Sequence, residues 1–474
     1  MKKLFKLLEN TNISSLEFNS NEVKENSLYF CLAGTNADGH DFANHAVKNG
    51  AIGIVCEREL IGFDENIIQI MVNDTREALA LASCKFYGEP SKKLKMIGVT
   101  GTNGKTTTTY IIKNILETAG KKVGIIGTNE IEIIGKKYPS DLTTPDPAYL
   151  HKIFKTMVDS GVEFCVMEAS AHALNLRKLK GVVFDVSAFT NLSQDHLDFF
   201  GTMENYFEAK RILFTPEYTK CSIINADDVY GQKIIKNCKT RKLTYGSENP
   251  SDVFGLDLKM SVNGLSYILN SFDDVEKVKF NLPGKFNMYN SLCAVAVCRE
   301  LGIDIKKIIK GIKNLKKVDG RFNIINTEKC SLIIDYAHTP EGLENIISAI
   351  REFAKKRIIT VFGCGGDRDK TKRPLMGEVA SRLSDYCFIT SDNPRTEDKN
   401  EIISHVMSGI NSDNKQKVTT NPSREEAIKS AIEFANEGDI ILIAGKGCEP
   451  YMDEGGIKRE YKDEDYVMEI IAKL

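Results

Sequence analysis

The segment VTGTNGKTTTTY, residues 99–110, has the residue types of a phosphate-binding loop. Gly104, Lys105 and Thr106 supply the second half of the common G-x-x-x-x-G-K-[ST] pattern. A valine stands where the first glycine belongs, and Gly101 follows two residues later. Backbone N–H groups at a strand-to-helix turn attract phosphate, while the lysine can reach the β- and γ-phosphates and the threonine can hold Mg²⁺. An apolar strand pattern precedes the segment and a helical pattern follows it, which favours nucleotide binding over a tight turn of chance composition.

Carboxylates and imidazoles stand at the ends of two later apolar runs. The segment MEASAH supplies Glu168 and His172, and the segment QDHLD supplies Asp195, His196 and Asp198. These groups suit a divalent cation, and beside phosphates an oxygen-rich Mg²⁺ site is favoured. His196 alone would be interpreted as a structural histidine. The neighbouring acids and the phosphate loop favour metal-assisted phosphate chemistry instead.

The composition of the 474-residue chain limits the classes of function. The formal net charge of -2 gives no global positive field for nucleic acid. No apolar run reaches the ~18 residues of a membrane span. The start MKKLFKLLEN lacks the long apolar run and cleavage site of a signal peptide and predicts a short helix. Twelve cysteines without a C-x-x-C pair indicate reduced thiols, so we expect a cytoplasmic protein without a nucleic-acid partner and without a membrane span.

Short apolar runs that alternate with helical patterns must position these groups. The patterns divide the chain into three α/β units, residues 1–92, 93–320 and 321–474, with boundary compositions around 87–95 and 316–323. In the second and third units, the alternation predicts a mostly parallel sheet covered on both faces. Glycine and polar residues follow each apolar run, at the carboxyl ends of strands where such sheets bind ligands.

Further motifs occur in a fixed order along nearly the whole chain. They read T-G-T-N-G-K-T, M-E-x-S-x-H, T-N-L-x-x-D-H-L-D, Y-x-x-A-K, L-P-G-x-F-N, D-Y-A-H-T-P, G-C-G-G-D-R-D-x-x-K-R-P, D-N-P-R and G-K-G. As an ordered set they resemble the Mur ligases of peptidoglycan synthesis, and among them the ligases that add the third peptide residue. The phosphate loop of that family also lacks the first glycine. The resemblance implies an N-terminal UDP-sugar-binding domain, a central P-loop ATPase-like domain and a C-terminal Rossmann-like domain that brings the amino acid.

The resemblance also implies a reaction. ATP would be the co-substrate, Mg²⁺ the cofactor and UDP-N-acetylmuramoyl-L-Ala-D-Glu the acceptor. The γ-phosphoryl group would pass to the D-glutamate γ-carboxylate, and the incoming amine would displace phosphate from this acyl phosphate. Phosphorylation supplies a leaving group that a carboxylate lacks, and closure of the domains would keep the acyl phosphate from water. We expect the chain to act as a monomer.

The same resemblance assigns site residues. The predicted catalytic residues are Lys105, Glu168, His196 and Lys210. The predicted ATP-binding residues are Gly101, Thr102, Asn103, Gly104, Lys105, Thr106 and Thr107. The predicted Mg²⁺ ligands are Thr106, Glu168, His196 and a carbamylated, hence anionic, Lys210. The predicted contacts of the UDP-sugar dipeptide are Ser20, Thr35, Asn36, Ala37, Thr143, Thr144, Ser170 and Arg177 or Lys178, between which the sequence does not choose.

The segment SDNPRTED, residues 391–398, bears on the choice of amino acid. Meso-diaminopimelate has one more carboxylate than L-lysine, and the guanidinium of Arg395 can bind it with two parallel hydrogen bonds. The D-N-P-R motif resembles that of the diaminopimelate-adding ligases, with Glu449 placed to meet the distal ammonium. L-lysine is then expected to be a poor substrate, whereas meso-lanthionine remains an alternative. The predicted pocket consists of Arg368, Asp392, Asn393, Pro394, Arg395, Gly445 and Glu449.

Two other classes of function fit part of the pattern. Folylpolyglutamate synthase shares the phosphate loop and the region of the carbamylated lysine, but should lack a UDP-binding N-terminal domain and the D-N-P-R motif. A catalytically silent nucleotide-binding regulator would be expected to have lost at least one predicted catalytic residue. All of them are present in this sequence.

Overall fold

The computed structural model describes residues 1–34 and 37–473, so the predicted contacts Thr35 and Asn36 lie outside the described residues. Sheets flanked by helices follow one another along the chain, which confirms the predicted α/β class. The bounds predicted for the three domains stay predictions. Within the described ranges, no helix is both long and apolar enough to cross a membrane.

The N-terminal sheet is parallel, in the order β1–β2–β3–β4. The strands are β1 (Leu16–Glu17), β2 (Ser27–Phe30), β3 (Ala51–Cys56) and β4 (Ile68–Met71), and the helices are α1 (Lys2–Asn10), α2 (Ala43–Lys48) and α3 (Thr75–Phe86). The first helix was predicted and buries Leu4 in a core with Phe30 and Val55. Asp74 caps α3, because its carboxylate accepts a hydrogen bond from the backbone N–H of Glu77 at 2.8 Å.

The central sheet has the order β15–β14–β13–β12–β11–β10–β5–β9–β6–β7–β8. Its strands are β5 (Lys95–Thr100), β6 (Val123–Ile126), β7 (Ile131–Ile133), β8 (Lys136–Tyr138), β9 (Phe164–Glu168), β10 (Phe184–Phe189), β11 (Thr219–Asn225), β12 (Arg241–Gly246), β13 (Val253–Ser261), β14 (Gly264–Ser271) and β15 (Asp274–Phe280). The pairs from β13 to β6 are parallel, as predicted. Antiparallel strands, which the sequence reading missed, extend both edges.

Helices cover both faces of the central sheet. They are α4 (Lys105–Thr118), α5 (Pro147–Asp159), α6 (Ala171–Asn175), α7 (Leu197–Phe200), α8 (Met203–Arg211), α9 (Val229–Asn237), α10 (Lys285–Glu300) and α11 (Ile305–Asn314). Ile97 and Val99 of β5 enter the core on the α4 and α10 side, and Met96 enters the core on the α5 side. Because both faces are buried, β5 has the continuous apolar pattern of an interior parallel strand.

The C-terminal sheet has the order β16–β17–β21–β18–β19–β20 and is parallel except for β16. Its strands are β16 (Asn323–Asn326), β17 (Cys330–Asp335), β18 (Ile358–Cys364), β19 (Tyr386–Ser391), β20 (Val418–Thr420) and β21 (Asp439–Ala444). The helices are α12 (Pro340–Arg351), α13 (Lys372–Leu383), α14 (Lys399–Met407), α15 (Arg424–Phe434) and α16 (Asp463–Ile471). A hairpin of β22 (Tyr451–Glu454) and β23 (Ile457–Glu460) follows β21. Short 3₁₀ helices lie at Gly39–Phe42, Pro90–Lys93, Ile212–Phe214 and Ser412–Lys417.

Candidate active site

A cavity of about 1160 Å³ lies between the central and the C-terminal sheets. Its walls come from the loops after β5, β9 and β10 of the central sheet and after β17, β18, β19 and β21 of the C-terminal sheet. These are the carboxyl ends of parallel strands, where open α/β sheets bind ligands. The cavity therefore joins the predicted phosphate loop to the predicted amino-acid pocket.

The phosphate loop depends on its glycines for its shape. Gly101 has φ +150° and Gly104 has φ +85°, conformations that residues with a side chain rarely adopt. A Cβ on Gly101 would overlap the hydroxyl of Thr190, and a Cβ on Gly104 would overlap the amide of Asn290. Val99 is fully buried in the core of the sheet. The loop therefore turns two residues later than the common pattern and leaves the valine to pack in β5.

Two lysines converge on one backbone carbonyl in this loop. Lys105 Nζ donates to the carbonyl oxygens of Gly101 at 3.0 Å and Thr102 at 2.9 Å. Lys210 Nζ donates to the carbonyl oxygen of Gly101 at 2.8 Å and lies 4.5 Å from the centre of the Tyr206 ring. Burial, reinforced by the neighbouring ammonium of Lys105, lowers the pKa of Lys210 well below its ordinary value. Burial also lowers the pKa of Lys105.

Thr106 and Glu168, both predicted Mg²⁺ ligands, are in direct contact. The Thr106 hydroxyl donates to Glu168 Oε1 at 2.9 Å. The backbone N–H and the hydroxyl of Thr128 hold the same carboxylate, at 2.9 Å and 3.0 Å. Arg321, from the boundary between the central and C-terminal units, donates to the Thr106 hydroxyl at 3.0 Å. These contacts fix two hard oxygen donors beside the phosphate loop.

His196 lines the same cavity in a strained backbone conformation, with φ +57°. Its Nε2 lies 3.3 Å from Asp195 Oδ2, and its ring packs edge-on against His172 with 4.7 Å between the ring centres. Burial lowers the pKa of His196 to about 3, so the ring is neutral near pH 7. Among residues 1–34 and 37–473, no three or more His, Cys, Asp or Glu side chains are grouped closely enough to hold a metal. Thr106 and Glu168 are thus hydrogen-bonded to each other, and His196 lines the same cavity; its role as a metal ligand stays a prediction.

Asp195 connects the central unit to the C-terminal unit. Its Oδ1 accepts a hydrogen bond from Lys372 Nζ at 3.0 Å, and its Oδ2 lies 3.5 Å from His338 Nε2. Burial alone would raise the pKa of Asp195, but Lys372 and the neighbouring histidines hold it well below its ordinary value. A second connection joins Asn103 Nδ2 to Glu341 Oε2 at 3.0 Å.

The predicted contacts of the UDP-sugar dipeptide fall into two regions. Thr143, Thr144, Ser170 and Lys178 line the cavity, whereas Ser20 and Ala37 lie in the N-terminal unit and are not among its lining residues. Thr144 is fixed, because its hydroxyl donates to the carbonyl oxygen of Glu168 at 2.8 Å and accepts from the backbone N–H of Ser170 at 3.0 Å.

Arg177 and Lys178, between which the sequence did not choose, point to different neighbours. Arg177 forms ion pairs with Asp74, at 3.3 Å, and with Glu77 of the N-terminal unit. Lys178 reaches the cavity and pairs with Asp146 at 2.7 Å. Of the two residues, Lys178 is thus the one that lines the cavity.

The predicted amino-acid residues line the cavity except Pro394, which lines a separate cleft. Arg395 has φ +52°, its backbone N–H donates to the carbonyl oxygen of Asp453 at 3.1 Å, and its guanidinium donates to the carbonyl oxygen of Gly366 at 2.6 Å. Glu449 was predicted to meet a substrate ammonium, and the structure shows that its carboxylate already pairs with Lys446 at 2.5 Å.

Sequence reasoning missed several side chains that line or support the cavity. The sequence of the boundary segment KKVDGRFN does not itself assign a role to its arginine, nor does the G-K-G motif assign one to its lysine. Tyr289 and Asn290 of α10 form part of the wall beyond the phosphate loop. The motifs L-P-G-x-F-N and K-R-P lie at the start of α10 and of α13, but their distance from the phosphate loop along the sequence does not predict that they reach it in the fold. The missed residues are Thr128, Asn287, Tyr289, Asn290, Arg321, His338, Lys372 and Lys446.

Known proteins share both the sequence and the architecture of this chain. Three family descriptions match: "Mur ligase family, catalytic domain" over residues 12–87, "Mur ligase middle domain" over 99–298 and "Mur ligase, glutamate ligase domain" over 320–447. The UDP-N-acetylmuramoyl-L-alanyl-D-glutamate--2,6-diaminopimelate ligase 1 of Clostridium acetobutylicum is 47% identical over 468 residues, 98% of this chain and 96% of that protein.

Solved structures of other ligases also share the fold of this chain. A UDP-N-acetylmuramoyl-L-alanyl-D-glutamate--2,6-diaminopimelate ligase matches with a TM-score of 0.69 and 30% identity, over 99% of this chain and 98% of the other. A MurF ligase from Thermotoga maritima in complex with ADP has a TM-score of 0.67 over 100% and 99% of the two chains, and at 22% identity it shows the fold alone. From its sequence and its fold, the chain belongs to the Mur ligase family.

Proposed function

We propose that this chain is an ATP-dependent ligase that joins meso-2,6-diaminopimelate to the D-glutamate γ-carboxylate of UDP-N-acetylmuramoyl-L-Ala-D-Glu, a step of peptidoglycan synthesis. The match at 47% identity to a ligase of that name carries the proposal. It is supported by the cavity, which has the phosphate loop at one end and Arg395 and Glu449 at the other. The cysteines of the described residues are free thiols, which supports the proposed cytoplasmic location.

The phosphate loop and the start of α4 bind the ATP phosphates in this proposal. Gly104 precedes the first residue of α4, so the N–H groups and the dipole of this helix favour an anion there. Lys105 turns from the loop carbonyls to the transferring phosphoryl group, whose charge it offsets. Arg321 adds a second cation from the domain boundary, within hydrogen-bonding reach of Thr106.

Mg²⁺ is the cofactor in this proposal, and Thr106 and Glu168 fit it. Their hydroxyl and carboxylate oxygens are in contact beside the loop, and Mg²⁺ commonly takes one or two protein oxygens together with phosphate and water oxygens. When bound, the ion neutralises phosphate charge. Thr128 keeps the carboxylate of Glu168 in place for that role.

Carbamylation of Lys210 is supported by the surroundings of its amine. The side chain is buried, and its Nζ shares a carbonyl oxygen with Lys105. A neutral amine is the form that reacts with CO₂: the nitrogen bonds to the carbon, and one proton leaves to solvent. The carbamate product places a negative charge next to Lys105, so the two side chains attract each other.

The reaction then follows the cavity from one end to the other. The D-glutamate γ-carboxylate, held near Thr144 and Lys178, bonds to the γ-phosphorus of ATP, and ADP leaves. The neutral amine of the amino acid attacks the acyl carbon, the C–O bond to phosphate breaks, and the proton lost by the amine leaves with the phosphate as hydrogenphosphate. Contacts between the central and C-terminal units at Asp195 and Asn103 close the cavity against water.

The amino-acid end selects diaminopimelate by its charges. Arg395 and Arg368 line this end and supply guanidinium groups for the distal carboxylate, for which L-lysine has no counterpart. The loss of one partner of a buried charged hydrogen bond costs roughly 2–5 kcal/mol, which corresponds to about 30-fold or more in preference. L-lysine is therefore expected to be a much poorer substrate.

A competition assay tests the proposal. The purified enzyme is given UDP-sugar dipeptide, ATP and equal concentrations of meso-diaminopimelate, meso-lanthionine and L-lysine, and the tripeptide products are separated by mass. We expect phosphate release to require both acceptor and amino acid, and the diaminopimelate product to exceed the lysine product. Equal or greater incorporation of L-lysine would contradict the assignment. An unchanged preference in Arg395→Ala would contradict the role of Arg395.

A further inference from the structure

Lys446 is a fully buried lysine in the segment between Gly445 and Glu449, two residues that line the amino-acid end of the cavity. It follows β21, in the loop that also carries Glu449. A buried ammonium is stable only when nearby acceptors compensate its lost hydration. The acceptors of Lys446 therefore indicate what this side chain organises.

The acceptors of Lys446 all belong to the predicted amino-acid pocket. Its Nζ donates to Glu449 Oε2 at 2.5 Å and to Asn393 Oδ1 at 3.1 Å, and it lies 3.7 Å from Asp392 Oδ1. One ammonium thus connects the loop after β19 with the loop after β21. It also lies within 3.7 Å of two carboxylates and balances their charge.

Asn393 completes a closed set of bonds around the ammonium. Its Nδ2 donates to Glu449 Oε2 at 2.7 Å, and its Oδ1 accepts from the backbone N–H of Asp453 at 2.8 Å. Glu449 Oε2 is thus held by two donors. Neither of these bonds involves Glu449 Oε1.

We propose that Lys446 is a positioning residue for the amino-acid substrate, which holds Oε2 of Glu449 so that Oε1 is presented to the distal ammonium of diaminopimelate. This inference rests on the function proposed above. Without Lys446, the carboxylates of Glu449 and Asp392 would repel each other and Glu449 would lose its fixed orientation. Selection of a substrate that carries a distal ammonium would then weaken, although the phosphate end would be unaffected.

The test compares Lys446→Met with Lys399→Met. Lys399 is not among the residues that line the cavity, and its Nζ donates to Glu454 Oε2 at 2.8 Å. Each variant removes one lysine that is bonded to a glutamate, but only the first removes the bonds to Glu449 and Asn393. We expect Lys446→Met to raise the KM for meso-diaminopimelate by at least about 10-fold, with kcat and the KM for ATP changed by less than about 3-fold. Lys399→Met should stay within about 3-fold of wild type in every constant.

A second readout separates positioning from general support of the fold. The analogue 2-aminopimelate has both carboxylates and the reacting amine but lacks the distal ammonium. Wild type should prefer meso-diaminopimelate over it, Lys446→Met should lose most of this preference, and Glu449→Gln should make the Lys446 substitution nearly without effect. A wild-type preference in Lys446→Met, or an equal loss of kcat/KM with every substrate, would overturn the inference.

The remaining outcomes are also decisive. If Lys446→Met does not fold, as judged by its melting temperature, Lys446→Gln is measured with the same two readouts and the same expected results. Failure of wild type to incorporate meso-diaminopimelate would contradict the proposed function itself. That failure would be seen before any variant is compared.

Discussion

The side-chain nitrogens of Lys105 and Lys210 both donate to the carbonyl oxygen of Gly101 in the structure. Two positive charges this close would repel each other, and burial would strengthen the repulsion because no water screens it. In the proposed function, an anion beside each lysine removes this repulsion: the phosphates of ATP for Lys105 and a carbamate on Lys210. At the scale of single residues, the proposal gives the two lysines different roles, so they should respond differently to substitution.

Replacement of Lys105 by alanine should leave the transferring phosphoryl charge without its cation. We expect kcat to fall by about 100- to 1000-fold or more, with the melting temperature nearly unchanged. The measurement is phosphate release with all three substrates at saturation. Lys136→Ala, which removes an exposed lysine of β8, is the control. Near-normal turnover in Lys105→Ala would show that the loop does not act on the phosphates.

Replacement of Lys210 by alanine should remove the carbamate. We expect a loss of activity of at least about 100-fold, partly restored by added acetate or another short carboxylic acid that can occupy the vacated space. Lys105→Ala is the matched control, since a small acid cannot replace its positive charge. Mass spectrometry at high CO₂ should also detect the added carbamate on wild type. Full activity of Lys210→Ala would exclude the role.

At the scale of elements, Glu397 ties together the segments that carry the two arginines of the amino-acid end. Its carboxylate accepts hydrogen bonds from Arg373 of α13 at 2.8 Å and 3.0 Å. It also accepts one from the backbone N–H of Asp367, in the loop that carries Arg368, at 2.6 Å. Glu397 itself lies two residues beyond Arg395. One carboxylate thus fixes the loops after β18 and β19 to α13.

Glu397→Gln should destabilise the C-terminal unit in a pH-dependent way. Arg373 is fully buried, so the loss of its charged partner is expected to lower the free energy of unfolding by about 3 kcal/mol at pH 7. The hydrogen bonds from Arg373 hold the pKa of Glu397 at about 2, below its ordinary 4.5. The ionised carboxylate of Glu397 therefore stabilises the folded state fully above about pH 4.5. This stabilisation is lost as the carboxylate becomes protonated, while the pH falls toward 2.

Melting temperatures measured across a range of pH check this direction of the pH dependence. The difference in melting temperature between wild type and Glu397→Gln should be largest near pH 7 and should become smaller below pH 4.5. Glu401→Gln, which changes an exposed glutamate at the start of α14, should have nearly the melting temperature of wild type at every pH. If the melting temperature of Glu397→Gln differed from wild type by the same amount from pH 7 to pH 3, the stabilising role of the Glu397 charge would be contradicted.

Elements with local signals were predictable, whereas contacts between distant segments were not. The strand from Lys95, the glycine turn and α4 follow from neighbouring residues, because each signal lies within a few positions of the structure it specifies. The edge strands β13–β15 have many exposed positions and lack the continuous apolar run of an interior strand. Arg321 is hydrogen-bonded to Thr106, which lies 215 positions away in the sequence, and Lys372 to Asp195, which lies 177 positions away. Only the folded chain shows these pairs.

At the scale of the whole molecule, closure of the cavity depends on side chains that bridge the central and C-terminal units. Lys372 and Asp195 form the buried ion pair of this contact. Gln194 Nε2 donates to the Thr371 hydroxyl at 2.8 Å beside it. The charged partners of this contact would be exposed to water if the units separated. Formation of the pair is therefore coupled to exclusion of water from the site.

Lys372→Met should favour separation of the two units. We expect kcat/KM for the amino acid to fall by about 10-fold or more, and the radius of gyration measured by X-ray scattering with bound nucleotide to increase. The double variant with Asp195→Asn should be little worse than the single variants, because they remove the same pair. Lys429→Met, on the exposed face of α15, is the control. Fully additive effects would show that the two residues act separately.

The phosphate loop and the amino-acid end of the cavity come from separate stretches of the chain. The loop residues all precede the boundary near residue 320, and the amino-acid residues all follow it. In the proposed function, the step that uses ATP and the selection of the amino acid thus belong to different parts of the chain, which are joined by a few bridging side chains. Recombination near the boundary would exchange one module and keep the other, so a ligase lineage can change the cross-linking residue of its cell wall without rebuilding the means of activating the acceptor.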